Sequence, residues 1–343
     1  WDYVSAWSAS KVPKLLNDAV REGKVLAGTS AGAHVMSAVA YDARNGSVRL
    51  GEAVRNPWDE HVTFTHDLLS VLPGVLVDTH FTQRGRLARL GPMFVRLLVD
   101  DAPTLRCGVG IDDRTALLVS PTGTADVRGE GSVSLLRADA STSVSGHPGQ
   151  PPSAYSIRLD VLGDGYRIDL DTGEIVERPL DAVLVTNESP QAPPNPATLL
   201  GSDPLAAQSG SVSLASDQPG DLYHGSLETT SGDGALPGFV VVSETFDPSQ
   251  LEMVENRVGG VQWVLHEMAG TVGYGLVLDT GAQVKVGTDG SIRPQPVADQ
   301  PAVMLLDGRH LVETASTPYE PRQSVSLVGL RLHLLRDGDG WVP

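Results

Sequence analysis

The stretch "KVLAGTSAGAHVM", residues 24 to 36, constrains this chain more than any other. An apolar run leads into Gly28, Ser30 and Gly32, and small helix formers follow. G-x-S-x-G is the pattern of a nucleophile elbow, in which a serine sits on a sharp strand-to-helix turn with its hydroxyl exposed. The reading predicts a buried strand over "KVLAG", a helix over "SAGAHVMSAVAY", and hence an α/β unit. A pattern this short also fits a plain Gly-rich connection, so the rest of the chain has to decide.

Residues 9 to 23 carry Val12, Leu15, Leu16 and Val20 on one helical face, with Gly23 as a stop. "PGVLVDTHF" reads as a second buried strand, and "TQRGRLARLGPMFVRLLVDD" as a helix from about Thr82 with a basic first half. The β-branched runs from Cys107 to Ala138, broken by glycine, predict hairpins, and "SIRLDVLGDGYRIDL" predicts further strand pairs. Residues 186 to 235 are rich in Pro, Ser, Gly and Asp and read as linker or loosely packed surface. Beyond them the earlier pattern is echoed in the same order. "LPGVLVDTHF" returns as "LPGFVVVSETF" from 236, "GVGIDDRTALLV" as "GYGLVLDTGAQV" from 273, and "IRLDVL" as "LRLHLL" from 330. These echoes predict a degenerate second copy of one half-domain, in which Glu244 or Thr245 stands at the place of His80 and no G-x-S-x-G is found. The expected organisation is a catalytic domain over 1–180, a linker over 181–235 and the partial copy over 236–343.

An elbow serine needs a base, and the base needs an orienting carboxylate. Of nine histidines, His80 stands at the carboxyl end of a predicted strand, where open α/β sheets place their ligand crevice. His34 reads as packing or capping, and His61 and His66 as solvated. Around His80, "DTHFTQRGRLARL" gathers Asp78, Arg84, Arg86 and Arg89. In a chain of net charge −17 such a cluster of guanidinium forks suits a carboxylate ligand, since arginine binds carboxylates in bidentate fashion. A solvated helix face with Arg86 and Arg89 paired to nearby carboxylates is the structural alternative. The same net charge and a pI near 4.8 argue against nucleic acid and anionic lipid as partners. No apolar run approaches the roughly 18 residues of a membrane span. A single cysteine, Cys107, excludes an intrachain disulfide framework and a Cys-rich metal site; it suits the cytoplasm, although a secreted protein can equally lack cysteines, so the compartment stays open.

"GTSAGA", "DTHFTQRGRLARL", "GVGIDDRTALLV" and "IRLDVLGDGYRIDL" together resemble the successive signatures of the cyanophycinase-like serine peptidases, relatives of the aspartyl dipeptidases. The resemblance covers roughly residues 1 to 172. It implies a class I glutamine-amidotransferase-like three-layer α/β sandwich with a mostly parallel sheet. Ser30 is then the nucleophile and His80 the general base, with Asp78, Arg84, Arg86 and Arg89 lining the substrate site. Thr79 stands where the family usually has Gln, and Arg114 near a family Asn, so both belong to substrate recognition. Glu52 is the expected triad acid, with Asp42 as runner-up, and the Ala31 amide is the expected oxyanion donor. The family's Gly-rich oxyanion turn falls at or before Trp1, so the first strands of the catalytic domain are expected to be missing. The implied activity is cleavage of aspartyl or isopeptide bonds, as of β-Asp-Arg units in a poly-aspartate with arginine side groups. The substrate is a peptide or isopeptide, neither metal nor organic cofactor is implied, and homodimerisation stays open. Two other readings are a catalytically inactive binding or scaffold protein of the same fold, and an esterase, in which the arginine block has no role.

Overall fold

The computed structural model describes residues 1–69, 71–100, 105–185, 197–200, 210–214, 229–232, 234, 236–243, 245–246, 257–319 and 322–343. Most of the stretch expected as linker lies outside these residues.

The amino-terminal part holds two helices, α1 (Asp2–Ser8) and α2 (Val12–Arg21), then the one-turn α3 (Ala31–His34), a small antiparallel pair β1 (Val39–Tyr41) and β2 (Phe64–His66), and α4 (Leu50–Arg55). A regular unit follows: β3 (Val75–Thr79), α5 (Leu87–Val99), β4 (Cys107–Ile111), β5 (Thr115–Val119), β6 (Thr124–Gly129), β7 (Val133–Arg137), β8 (Ser143–Ser145) and β9 (Ser153–Leu162). Short strands β10 (Arg167–Asp169), β11 (Ile175–Glu177), β12 (Val183–Leu184), β13 (Ala197–Leu200), β14 (Gly210–Leu214) and β15 (Thr229–Ser231) come next. The last part comprises β16 (Leu236–Val242), α6 (Arg257–Glu267), β17 (Tyr274–Leu278), β18 (Gln283–Val286), β19 (Ile292–Pro294), β20 (Val303–Asp307), β21 (Glu313–Tyr319) and β22 (Arg322–Leu335).

The main sheet runs β15-β14-β16-β17-β20-β22-β9-β7-β4-β3. Side chains alternate across it with the period of a strand. Leu76, Leu136, Ile157, Leu159, Leu330 and Leu332 turn to a helical layer carrying Leu90, Phe94, Val261 and Leu265. Val75, Val77, Val109, Val133 and Leu135 face the other way, against Val127, Tyr166 and Ile168 of the small sheet β5-β6-β10-β11. Leu276 and Leu305 face Val284 and Ile292 of a second small sheet, β13-β18-β19. The protein is therefore α/β and layered, but the layer opposite the helices is built of hairpins.

Several expectations change. The main sheet is mixed, with β3–β4, β16–β17 and β14–β16 parallel and its other described ladders antiparallel. Parallel neighbours need a crossover connection, whereas hairpins need only a turn, and the described crossover helices are α5 and α6. "KVLAG" forms no strand: Lys24–Thr29 has no ladder partner among the described residues, and Val25 is 95% exposed. "SAGAHVMSAVAY" is helical only to His34, because Val39–Tyr41 pairs with Phe64–His66 and buries Val39, Ala40 and Tyr41. Alanine's helix propensity is too weak to oppose that burial. The helix expected from Thr82 starts at Leu87, because Gly85 takes a left-handed conformation (φ 59°) after a single 3-10 turn. Short strands also occupy 197–200, 210–214 and 229–231, inside the stretch expected as linker.

Candidate active site

Gly28 and Ser30 make the elbow. A Cβ on Gly28 would lie 2.3 Å from the Gly32 carbonyl oxygen, so the turn closes only with glycine there, whereas a Cβ on Gly32 meets nothing. Ser30 adopts φ 51° and ψ −124°, a conformation that costs a non-glycine residue about 1–3 kcal/mol. The strain aims the hydroxyl outward. The Ala31 amide opens α3 and, as the first helical N–H, has no intrahelical acceptor.

His80 follows the last residue of β3, also at positive φ (50°). Its Nε2 is 2.9 Å from Ser30 Oγ. Its Nδ1 meets the Asp113 carboxylate. Asp113 sits just beyond β4, and β3 and β4 pair in parallel with Thr79 opposite Ile111, so base and carboxylate leave neighbouring strand ends together. The two loops are stitched to each other. Phe81 N–H donates to Ile111 O (3.2 Å), Thr82 N–H to Asp112 Oδ1 (2.8 Å), and Asp113 N–H to Gln83 Oε1 (3.1 Å). Asp112 is buried and also accepts from Ser132 N–H and Oγ–H, each at 2.9 Å. Burial pushes its carboxyl up, against those hydrogen bonds.

Glu52 is elsewhere. Its carboxylate accepts the Arg49 N–H (2.8 Å) in a capping box at the start of α4. Asp42 is committed as well, accepting from Thr65 Oγ1 (2.5 Å), Thr63 Oγ1 and Arg44 N–H (3.0 Å). Burial raises its pKa, but these donors outweigh burial and lower it overall. The carboxylate on His80 is Asp113, which sequence reasoning missed by searching only between serine and histidine. The signal was present: the Asp-Asp pair at the carboxyl end of β4 stands one strand from the base.

Asp78 is buried, and Arg86 and Arg89 close on it. Arg89 Nε donates to Oδ2 (2.9 Å) and its Nη2 to Oδ1, while Arg86 Nη1 reaches Oδ1 (3.2 Å) and the Thr79 carbonyl (2.7 Å). Burial alone would raise the Asp78 pKa; the two guanidinium groups, Arg89 first, outweigh it and hold the pKa down to about 2. Two of the four arginines expected to bind substrate, Arg86 and Arg89, are thus structural partners of Asp78. Arg84, Arg86, Arg89 and Thr79 do line one cavity with Ser30, Ala31, His34 and His80, of about 180 Å³. Arg114 is not among its lining residues and pairs with Glu130 (3.0 Å).

His34 is buried with Nε2 3.3 Å from Thr79 Oγ1 and 3.5 Å from Asp78 Oδ1, and its Nδ1 has no partner among the described residues. Burial lowers its pKa to about 4, against the pull of Asp78. The same cause lowers His333 to about 4. Both imidazoles are neutral in the fold at pH 7 and protonate more readily once unfolded. Stability they contribute is therefore complete above pH 6.5 and is lost as pH falls from there towards 4. Each accounts for about 3 kcal/mol at full extent. Urea unfolding between pH 7 and 4 should show this slope, and His34→Gln should flatten it; an unchanged slope would contradict the burial argument.

A strained serine on an elbow, hydrogen-bonded to a histidine that rests on a carboxylate at strand ends of an α/β fold, is the arrangement of a serine hydrolase. No family model matches the chain. It is similar to the cyanophycinases of Synechococcus elongatus and Thermosynechococcus vestitus, 37% identical over 164 residues, which is 47% of this chain and 47% of each relative. It is also similar to the cyanophycinase of Trichormus variabilis, 33% identical over 167 residues, 48% of the chain and 51% of that relative. The chain thus spans about half the length of the curated relatives it matches, and over that half it is cyanophycinase-like.

Proposed function

We propose that the chain carries the active site of a cyanophycinase-like serine peptidase that hydrolyses aspartyl or β-aspartyl-arginine bonds. The observation that carries this reading is the Ser30 Oγ–His80 Nε2 contact of 2.9 Å in a strained elbow, with Asp113 on the other ring nitrogen. In this reading Ser30 attacks the substrate carbonyl while His80 takes its proton and returns it to the leaving amine. Asp113 holds the imidazole with its Nδ1–H pointing away from the serine. The Ala31 amide stabilises the oxyanion that forms. Water then attacks the acyl-enzyme, with His80 as base again. The β3–α5–β4 crossover with its site at the strand ends supports a glutamine-amidotransferase-like catalytic half within residues 1–180. The intact contact between base and serine favours this over an inactive scaffold.

Arg84 lies in the turn between His80 and Arg86 and lines the cavity. We assign it to the substrate's carboxylate. The test is labelling of the full chain with a fluorophosphonate alongside hydrolysis of a β-Asp-Arg substrate. Ser30 is the expected site of modification, and Ser30→Ala should abolish both signals. Arg84→Lys should raise KM for β-Asp-Arg about ten-fold and leave labelling unchanged, since only the fork geometry is lost. Absence of labelling in the parent chain would remove the hydrolase reading.

A further inference from the structure

Strands β3-β4-β7-β9-β22-β20-β17-β16 read the same from either end: parallel, then antiparallel throughout, then parallel. The connections match too, with α5 and α6 as crossovers, β5–β6 and β18–β19 as hairpins into the small sheets, and β8 and β21 as added strands on β9 and β22. At the centre Arg158 pairs with Arg331, flanked by Leu159–Leu330 and Ile157–Leu332, which is the register of a two-fold axis through the arginine pair.

Details off the axis obey the same symmetry. Gly74 and Gly238 both have positive φ (69° and 76°), and their carbonyls accept from Arg106 N–H (2.6 Å) and Gly273 N–H (2.9 Å). Phe81 N–H donates to Ile111 O as Thr245 N–H does to Leu278 O, both at 3.2 Å. Asp112 and Ser132 exchange backbone and side-chain bonds as Asp279 and Ala302 do. Ser156 and Gly329 are matched kinks with φ 59° and 98°, their amides donating to His333 and Asp160. The ladders set Cys107 opposite Val75 and Tyr274 opposite Phe239, which slides the second sequence echo by two residues.

In this correspondence Asp113 falls on Thr280 and Asp78 on Val242, so the acid and the arginine anchor have no counterparts. The place of His80 falls on Glu244, which lies outside the described residues. What the second copy does provide is a surface. Val258, Gly259 and Gln262 of α6 border a narrow gap with Phe81, Thr82, Gly85, Arg86 and Leu87, the turn that carries the base. Phe81, Leu87, Val258 and Gln262 are all buried, and the Phe81 ring lies over Gly110, where a Cβ would come within 2.4 Å.

We infer that residues 236–335 are a second copy of the unit 72–162, and that this copy, without the chemistry, braces the His80 turn through α6. Val258 and Gln262 are then positioning residues. The effect on catalysis rests on the Ser30–His80 reading; the brace does not.

The test is amide hydrogen exchange on the full chain and on Val258→Ala and Gln262→Ala, with Val264→Ala as a control that removes the same bulk as Val258→Ala from the same helix away from the gap. Exchange at the Phe81, Thr82 and Arg86 amides should rise about ten-fold in the first two variants relative to the control, with a matching fall in the rate of Ser30 labelling. If either variant fails to fold, the other decides. Equal exchange in variants and control would overturn the brace. Faster exchange in a chain whose Ser30 never labels would support the brace and overturn the hydrolase reading. An experimental structure in which Arg158 and Arg331, or Asp112 and Asp279, do not superpose would overturn the duplication.

Discussion

Asp113→Asn is expected to lower kcat on a β-Asp-Arg substrate by about three orders of magnitude, whereas Glu52→Gln leaves it within a factor of a few. Glu52 was the acid expected from the sequence and Asp113 was passed over; the structure puts Asp113 on His80 and Glu52 on the Arg49 amide. Asp113 meets His80 Nδ1, so it both selects the tautomer that leaves Nε2 free to accept the serine proton and stabilises the imidazolium formed in the transition state. Asparagine presents a donor as readily as an acceptor, and the ring can then turn away from Ser30. The Asp113 side chain is 48% exposed, so water takes over part of its role, and the loss falls short of that from removing the serine. Glu52 caps α4, and its amide costs at most about 1 kcal/mol of helix stability. Steady-state kinetics on both variants with folding checked by circular dichroism decides the matter. Comparable loss in the two would mean that His80 is oriented by something else.

Asp78→Asn should destabilise the fold by about 3–5 kcal/mol, because it leaves Arg86 and Arg89 buried without their shared counter-charge. The loss would appear as a drop in Tm of about 4–7 °C for a chain of 343 residues. A residue that only touched substrate would alter KM and leave Tm alone. The carboxylate sits one residue from Thr79 and two from His80, and Arg86 also holds the Thr79 carbonyl. Melting this anchor should therefore loosen the base as well, and Ser30 labelling should slow in the same variant. An unchanged Tm would return Asp78 and both arginines to the substrate site.

Much of the local structure was legible in the residues alone. Gly28 and Ser30 encode the elbow because only glycine tolerates the approach of Gly32 and only a tight turn exposes the hydroxyl. Val75, Leu76 and Val77 encode a strand buried on both faces, and Leu90 and Phe94 place one face of α5 in the core. These are properties of neighbouring residues and their periodicity. The chain also carried its own echoes, since spacing along a strand survives when side chains do not.

What remained hidden depends on which distant residues meet. A strand exists only through its ladder, so "KVLAG" with its apolar run still lies unpaired among the described residues. Asp78, Arg86 and Arg89 lie close in sequence to the base, yet burial turned them on one another, because a carboxylate out of water is stable only with its counter-charges. The partner of His80 lies 33 positions away, brought there by the parallel register of β3 on β4. Sequence determined that a serine would stand exposed on an elbow and that a histidine would end a strand. Tertiary structure decided which carboxylate reaches that histidine, because only the sheet brings the two strand ends side by side.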